Sequence, residues 1–161
     1  MEYIIENPSN KDGHEIWKLV KSSNTLDLNS EYCYFMLASI VSKQCAIVKE
    51  KKNKKIVGFL SCIISPENMQ NLFIWQICVA ESAKKNGLAK QMVDYVVKNQ
   101  KKPIEYIHVT ISANNEASLA LFNSLAKGYK ASIEREVFIN SNQFNGNHET
   151  EYLYKIGLLT Y

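Results

Sequence analysis

The densest run of apolar positions covers residues 72–80, enough for one buried strand and far short of a membrane span. A charged turn over residues 81–86 follows it. Gly87, Leu88 and Ala89 then open a helix that runs to Asn99, with Leu88, Val93, Val96 and Val97 on one face. A buried strand that delivers a small, basic, glycine-containing turn to a helix start suits phosphate binding. Backbone N–H groups at a helix N-terminus lack partners of their own, and the helix dipole favours an anion there.

The same pattern reading places the other elements. Residues 3–5 form a short strand, ended by Asn7 and Pro8. Residues 11–22 form a helix with Ile16, Leu19 and Val20 on one face, capped by Asn10 or Asp12. A loop over 25–29 leads to a second helix, 31–41, capped by Asn29 or Ser30. Strands at 44–49 and 56–65 form a hairpin whose tip is a solvated lysine run. After the central strand and helix, residues 104–112 alternate Ile107, Val109 and Ile111 with His108, Thr110 and Ser112, the period of a strand. Residues 115–127 form a helix ended by Gly128. Strands at 134–139 and 148–158 flank a very polar loop, 141–147.

This order is a strand, two helices, a three-strand meander, a helix, a strand, a helix and two strands. The meander calls for antiparallel pairing, and the central strand, helix and next strand form a βαβ crossover with a parallel pair. The expected fold is therefore α/β, a mixed and mostly antiparallel sheet with helices on both faces, in a single domain over residues 1–161.

Composition narrows the class. The chain has 161 residues, 46% hydrophobic and 22% charged, which describes an ordinary soluble protein with a real core. The start lacks a charged-then-apolar signal pattern, so a cytoplasmic protein is expected. Cys33, Cys45, Cys62 and Cys78 lie far apart in apolar segments with no CxxC pair, so reduced thiols are expected rather than a disulfide or a metal site. A net charge of +3 with lysines in loops fits a local anionic ligand better than nucleic acid, because no stacking aromatics interleave with the lysines.

Two motifs carry a family resemblance. Lys84-Lys85-Asn86-Gly87-Leu88-Ala89 resembles the [Gln/Arg]-x-x-Gly-x-[Gly/Ala] motif of the GNAT acetyltransferase superfamily, with Lys84 in the usual Gln or Arg position. Asn115, Ser118, Leu121 and Phe122 resemble its later Asn-x-x-Ser/Ala-x-x-Leu-[Tyr/Phe] element. The element order looks like that fold over the whole chain. A narrower resemblance, over about residues 12–157, is to the L-2,4-diaminobutyrate acetyltransferases of ectoine biosynthesis. It is carried by Asp12-Gly13, Ile16-Trp17, Leu26-Asp27-Leu28-Asn29-Ser30, Tyr32, Tyr34, Phe73-Ile74-Trp75-Gln76 and His148-Glu149-x-Glu151. The family implies a sheet splayed between its fourth and fifth strands, acetyl-CoA as cosubstrate, no metal, a small diamine acceptor, no membrane partner and a homodimer.

Within that resemblance the residues divide by chemistry. Lys84, Lys85, Asn86, Gly87, Leu88, Ala89 and Lys90 would hold the pyrophosphate, since Gly87 permits close backbone approach. Ile77, Cys78 and Val79 would offer strand backbone to the pantetheine amides, and an N–H there could stabilise the oxyanion of the tetrahedral intermediate. Asn115 and Ser118 would hydrogen-bond the cofactor. Cys78 lacks a histidine partner and is not expected to act as a nucleophile. The acceptor amine, with a pKa near about 10.4, must lose a proton, yet residues 73–79 offer no carboxylate. Glu151 is the choice for that task. A regular strand from His148 would put His148 and Glu151 on opposite faces, so either His148 belongs to the loop or a bulge intervenes. Asp27 would grip an ammonium, Tyr32 donate to the substrate, and Trp75 border the acceptor, although a capping Asp27 and a core Trp75 remain open. Phe122 stands where the family usually has a tyrosine acid, which leaves the thiolate's proton donor unassigned. The alternatives are a GNAT enzyme for another small amine and a non-catalytic acyl-CoA-binding module.

Overall fold

The helices and strands follow from burial. The computed structural model describes residues 2–161. Seven strands are β1 (Tyr3–Glu6), β2 (Cys45–Glu50), β3 (Ile56–Ile64), β4 (Asn71–Val79), β5 (Tyr106–Ser112), β6 (Ser132–Ile139) and β7 (Glu151–Gly157). Four helices are α1 (Gly13–Ser23), α2 (Glu31–Ser39), α3 (Leu88–Lys98) and α4 (Glu116–Gly128). The hydrogen-bonded strand order is β1-β2-β3-β4-β5-β7-β6, with β4 and β5 parallel and the pairs β1/β2, β2/β3, β5/β7 and β6/β7 antiparallel. The chain divides into two compact units, one running to Ile63 and continuing over Trp75–Pro103, the other Ile64–Ile74 with Ile104–Tyr161.

In the first unit the hairpin β2/β3 is buried on both faces. On one side Ile16, Leu19 and Val20 of α1 and Tyr34, Leu37 and Ala38 of α2 pack with Cys45, Ile47, Phe59 and Cys78. On the other, α3 lies over β1 and β2. Gly58 shows how close that approach is, since a Cβ there would stand 2.8 Å from Val48 Cγ2 and 3.3 Å from Met92 Cε. Helices thus cover both faces here, as the order of elements predicts.

The start of α1 differs from expectation. Neither Asn10 nor Asp12 caps α1 with its side chain. Ser9 precedes a 3-10 turn, Asn10–Asp12, and the Asp12 carboxylate accepts from the Ser9 N–H and hydroxyl at 2.8 Å each. It also lies 2.9 Å from Lys49 Nζ on β2, which reaches Glu6 at the same distance. Burial pushes the Asp12 carboxyl up, but the Ser9 N–H, the Lys49 ammonium and the Ser9 hydroxyl outweigh it and hold the group below its ordinary value.

In the second unit β5 alternates as the sequence predicts, with Ile107, Val109 and Ile111 buried and Tyr106, His108, Thr110 and Ser112 half-buried. Helix α4 buries Phe122, Leu125 and Ala126. Gly128 does not terminate it by a left-handed turn. The helix closes through the Tyr129 N–H to Leu125 O, 2.9 Å, and the left-handed residue is Lys130. The expected strand at 148–158 begins only at Glu151, because the preceding segment is held by side chains instead of a ladder.

Asp12→Ala is expected to lower the unfolding free energy by about 1–2 kcal/mol at neutral pH, measured by urea denaturation. The carboxyl is depressed in the folded state. Its contribution is therefore complete above the ordinary aspartate value of 3.8 and disappears as pH falls through the lower folded value. The gap between variant and wild type should hold down to about pH 3.8, shrink below it and close once the pH passes under the folded value.

Candidate active site

The parallel register between β4 and β5 covers only Asn71 to Ile74 against Tyr106 to Val109. Trp75 to Val79 continue β4 beyond the stretch paired with β5. Along β4 the side chains alternate. Leu72, Ile74, Gln76 and Cys78 are buried, whereas Asn71, Phe73, Ile77 and Val79 are half-buried and Trp75 is 41% exposed. Trp75 is therefore not a core residue. Cys78 is buried, and burial pushes its thiol up to about 12 against a small lowering by the Phe59 N–H. At neutral pH it is a thiol, not a thiolate, and a poor nucleophile.

The turn after β4 is preformed. Asn86 Nδ2 donates to Ala83 O and to Lys84 O at 3.0 Å each, and Gln91 Nε2 donates to Asn86 O at 3.0 Å. Lys85 and Gly87 both take positive φ, 64° and 67°. A Cβ on Gly87 would meet only Gln91 Nε2 at 3.7 Å, so the backbone angle, not protein crowding, calls for glycine. The first intrahelical bond of α3 is Gln91 N–H to Gly87 O, 3.1 Å. The N–H groups of Leu88, Ala89 and Lys90 precede it and lack i−4 acceptors, as an anion cradle requires. The lysines are less uniform than the sequence implies. Lys84 pairs with Glu81 at 2.5 Å and Lys90 with Asp94 at 2.6 Å.

The loop between α1 and α2 is tied to β4 by buried polar groups. Gln76, 5% exposed, donates from Nε2 to Asp27 O at 2.8 Å. Its Oε1 accepts from the hydroxyl of fully buried Tyr34 at 3.2 Å, and that hydroxyl accepts the Asn29 N–H at 3.3 Å. Ser30 caps α2 by accepting the Cys33 N–H at 3.4 Å. Asp27 itself is exposed, and Tyr32 is 70% exposed. Tyr32 thus faces solvent, whereas Tyr34 is buried in the core. Gln76 was not among the expected site residues. Its signal was legible, as the one polar side chain in the alternating buried set Leu72, Ile74, Gln76, Cys78.

In the second unit Asn115 caps α4, its Oδ1 accepting the Ser118 N–H at 3.1 Å, which leaves the Asn115 amide nitrogen as the group to offer a ligand. The polar loop before β7 folds on itself. The His148 ring stacks on Phe144 at 3.9 Å and its Nδ1 lies 2.8 Å from Glu149 O. A carbonyl only accepts, so Nδ1 carries a proton and donates to it. Glu149 accepts from Asn114 Nδ2, and the Thr150 hydroxyl accepts the Ser141 N–H at 3.1 Å. Glu151 opens β7, opposite Ser112 of β5 and Ile139 of β6, where the β6 register slips between Val137 and Ile139. Of the two alternatives, His148 lies in the loop before β7, and the register slip falls on the neighbouring strand β6. Phe122 is buried and offers no acid.

A polar cavity of about 440 Å³ in this unit is lined by residues including Tyr106, His108, Lys155 and Glu134. These lie at the start of β5 and the end of β7, the far ends of both strands from Ser112 and Glu151. No expected site residue lines it. Among the described residues no group of three or more His, Cys, Asp or Glu side chains is placed to hold a metal ion, and no helix is long and apolar enough to cross a membrane.

Residues 13–126 match the model of the acetyltransferase (GNAT) family. The L-2,4-diaminobutyric acid acetyltransferase of Halomonas elongata is 34% identical over 155 residues, covering 96% of this chain and 80% of the relative. That of Marinococcus halophilus is 34% identical over 159 residues, covering 98% and 91%. Among solved structures, the diaminobutyrate acetyltransferase of Paenibacillus lautus, in complex with its substrate L-2,4-diaminobutyric acid and coenzyme A, superposes with a TM-score of 0.91. It is 35% identical, with 98% of this chain and 95% of that one covered.

The buried, protonated Cys78 generates a direct expectation. Incubation with acetyl-CoA without acceptor, followed by acid quench and intact-mass analysis, should show no acetylated protein. An acetyl adduct on Cys78 would contradict it.

Proposed function

The chain belongs to the GNAT acetyltransferase family and, within it, to the L-2,4-diaminobutyric acid acetyltransferases, and from that premise we propose that it transfers the acetyl group of acetyl-CoA directly to the side-chain (N4) amine of L-2,4-diaminobutyrate, a step towards ectoine. The observation that carries this reading is the match, 35% identical over 98% of the chain with a TM-score of 0.91, to an enzyme solved with that diamine and coenzyme A. The family match runs through residues 13–126 and so includes segments of both compact units, which supports reading the chain as one GNAT domain.

The reaction needs four things from the protein. It must hold a pyrophosphate, align a thioester, select one amine of two, and accept that amine's proton. The first falls to the preformed turn at Lys84, Lys85, Asn86 and Gly87 and to the N–H groups of Leu88, Ala89 and Lys90. With Lys84 and Lys90 paired to carboxylates, backbone dipoles and Lys85 carry most of the attraction. The second falls to the backbone of Ile77, Cys78 and Val79, which has no β5 strand to pair with and matches the amides of a pantetheine arm. An N–H from the same stretch stabilises the oxyanion as the tetrahedral intermediate forms. Asn115 and Ser118 contribute hydrogen bonds to the cofactor.

Selection falls to exposed Asp27, which holds the ammonium that does not react, with Tyr32 and Trp75 contacting the rest of the substrate. An aromatic face such as that of Trp75 also favours a cationic amine. Glu151 binds the reacting amine and helps to remove its proton, with His148 as a further substrate-binding residue. The neutral amine then attacks the thioester carbonyl, the C–S bond breaks, and the CoA thiolate leaves. A thiol of pKa about 8.5 is a tolerable leaving group without a dedicated acid.

We read the protein as cytoplasmic and as a homodimer. The edge strand β6 supports a second copy, since Val137 and Phe138 are 56% and 53% exposed on it and open strand edges favour pairing.

The test is CoA release measured against a panel of amines. Diaminobutyrate should give the highest kcat/KM, and a polyamine or other amino acid exceeding it would overturn the assignment. Three variants probe the assigned roles. Glu151→Gln should lower kcat about a hundredfold with little change in acetyl-CoA affinity; full turnover would remove it as the base. Gly87→Val should weaken acetyl-CoA binding by about tenfold or more in calorimetry, because it strains the turn and fills the anion's approach. Asp27→Ala should raise the diaminobutyrate KM about tenfold and leave that of acetyl-CoA nearly unchanged.

A further inference from the structure

We infer that Gln76 is a positioning residue for acceptor selection, acting through a closed hydrogen-bond ring that fixes the Asp27 loop. The inference rests on the proposed acetylation of diaminobutyrate and on Asp27 as the group that grips its ammonium. The ring runs from the Asn29 N–H to the Tyr34 hydroxyl, from that hydroxyl to Gln76 Oε1, and from Gln76 Nε2 to Asp27 O. Asp27 and Asn29 are two residues apart, so the ring closes on the loop segment Asp27-Leu28-Asn29 and fixes the backbone between them.

Each member can act in only one direction. The Asp27 carbonyl accepts and cannot donate, so the Gln76 nitrogen must face it. The Tyr34 oxygen takes the Asn29 N–H and must send its own proton to Gln76 Oε1. A flipped amide would set Oε1 against Asp27 O and break the ring. Gln76 and Tyr34 are buried, at 5% and 0% exposure, so water is a poor replacement for a lost member. Packing holds the ring as well, since the Tyr34 ring meets Phe59 edge-on at a centroid distance of 6.0 Å.

The ring pins the backbone of Asp27, an exposed residue. Gln76 also sits between Trp75 and Ile77 on the opposite face of the same strand. One residue therefore links the placement of the acceptor loop to the strand assigned to the thioester. A carboxylate that must discriminate between two ammonium groups on one small molecule needs a fixed backbone beneath it, because a small displacement removes the discrimination.

The experiment uses the full chain and four variants, Gln76→Met, Tyr34→Phe, Asp27→Ala and the pair Gln76→Met/Asp27→Ala. Gln76→Met keeps a similar volume and removes both bonds. It should raise the diaminobutyrate KM about tenfold while the acetyl-CoA KM moves less than about twofold. Tyr34→Phe, which leaves the Gln76–Asp27 bond, should show the same selectivity with a smaller rise. In the Asp27→Ala background, Gln76→Met should add no further rise in KM, because the side chain it positions is gone. Amide exchange of the ligand-free protein should show faster exchange at Asn29 in both ring variants.

An unchanged diaminobutyrate KM in Gln76→Met overturns the inference. So does an equal rise for both substrates, or a full multiplicative effect on top of Asp27→Ala, since either marks a general structural role. If Gln76→Met does not fold, Tyr34→Phe decides by the same criteria. Absence of turnover with diaminobutyrate in the wild type defeats the functional reading itself, and a normal wild type with an unresponsive ring defeats this inference alone.

Discussion

Four residue pairs hold β4 to β5, and the pairing stops at Ile74 and Val109. Everything assigned to the site on the first unit follows from that early stop. A strand that kept its partner would spend its backbone on the ladder. Beyond Ile74 the chain instead carries Trp75, Gln76, Ile77, Cys78 and Val79 without a β5 neighbour. Backbone polar groups removed from water cost about 1–3 kcal/mol each when unpaired, so such a strand wants either solvent or an amide-bearing ligand. The two faces of the same five residues then diverge in use. Gln76 and Cys78 turn into the core, one as a polar anchor and the other as an inert thiol, while Trp75 is exposed and Ile77 and Val79 stay partly accessible.

The end of the strand sets the anion cradle. Asn86 bonds back to Ala83 and Lys84, and positive φ at Lys85 and Gly87 turns the chain into α3. Local geometry, not net lysine charge, does the positioning. Lys84 and Lys90 already have carboxylate partners, the first pair exposed and the second part-buried, and an exposed ion pair contributes little to stability and is readily exchanged for a phosphate. The cradle is thus ordered in advance by neutral hydrogen bonds, and its charges are free to rearrange when an anion arrives.

Most of this was legible in the residues because the apolar periods were clean. Ile107, Val109 and Ile111 alternate and form β5; Ile16, Leu19 and Val20 share a helical face and bury it. The family motifs located the cradle because glycine at φ 67° is a backbone requirement that leaves a mark on the sequence. The end of β4/β5 pairing came from the family resemblance, since nothing in residues 74–76 announces it. What escaped were contacts between residues distant in the chain. The Asp12–Lys49 pair joins positions whose partnership no period reveals, and it replaced the expected side-chain cap of α1. The strand start moved from His148 to Glu151 because Phe144, Asn114 and Ser141 hold the intervening side chains. Gln76 was visible as a polar residue at a buried position, but its partners, 42 and 49 residues away, were not.

The central claim is selective acetylation of one amine of L-2,4-diaminobutyrate. Product regiochemistry decides it most directly. Purified protein, acetyl-CoA and diaminobutyrate would be incubated and the product examined by two-dimensional NMR, with the acetyl carbonyl correlated to the carbon-bound protons beside the new amide. Correlation to the side-chain methylene alone is the predicted result. Correlation to the α-proton, a mixture of both, or no acetylated product would contradict it.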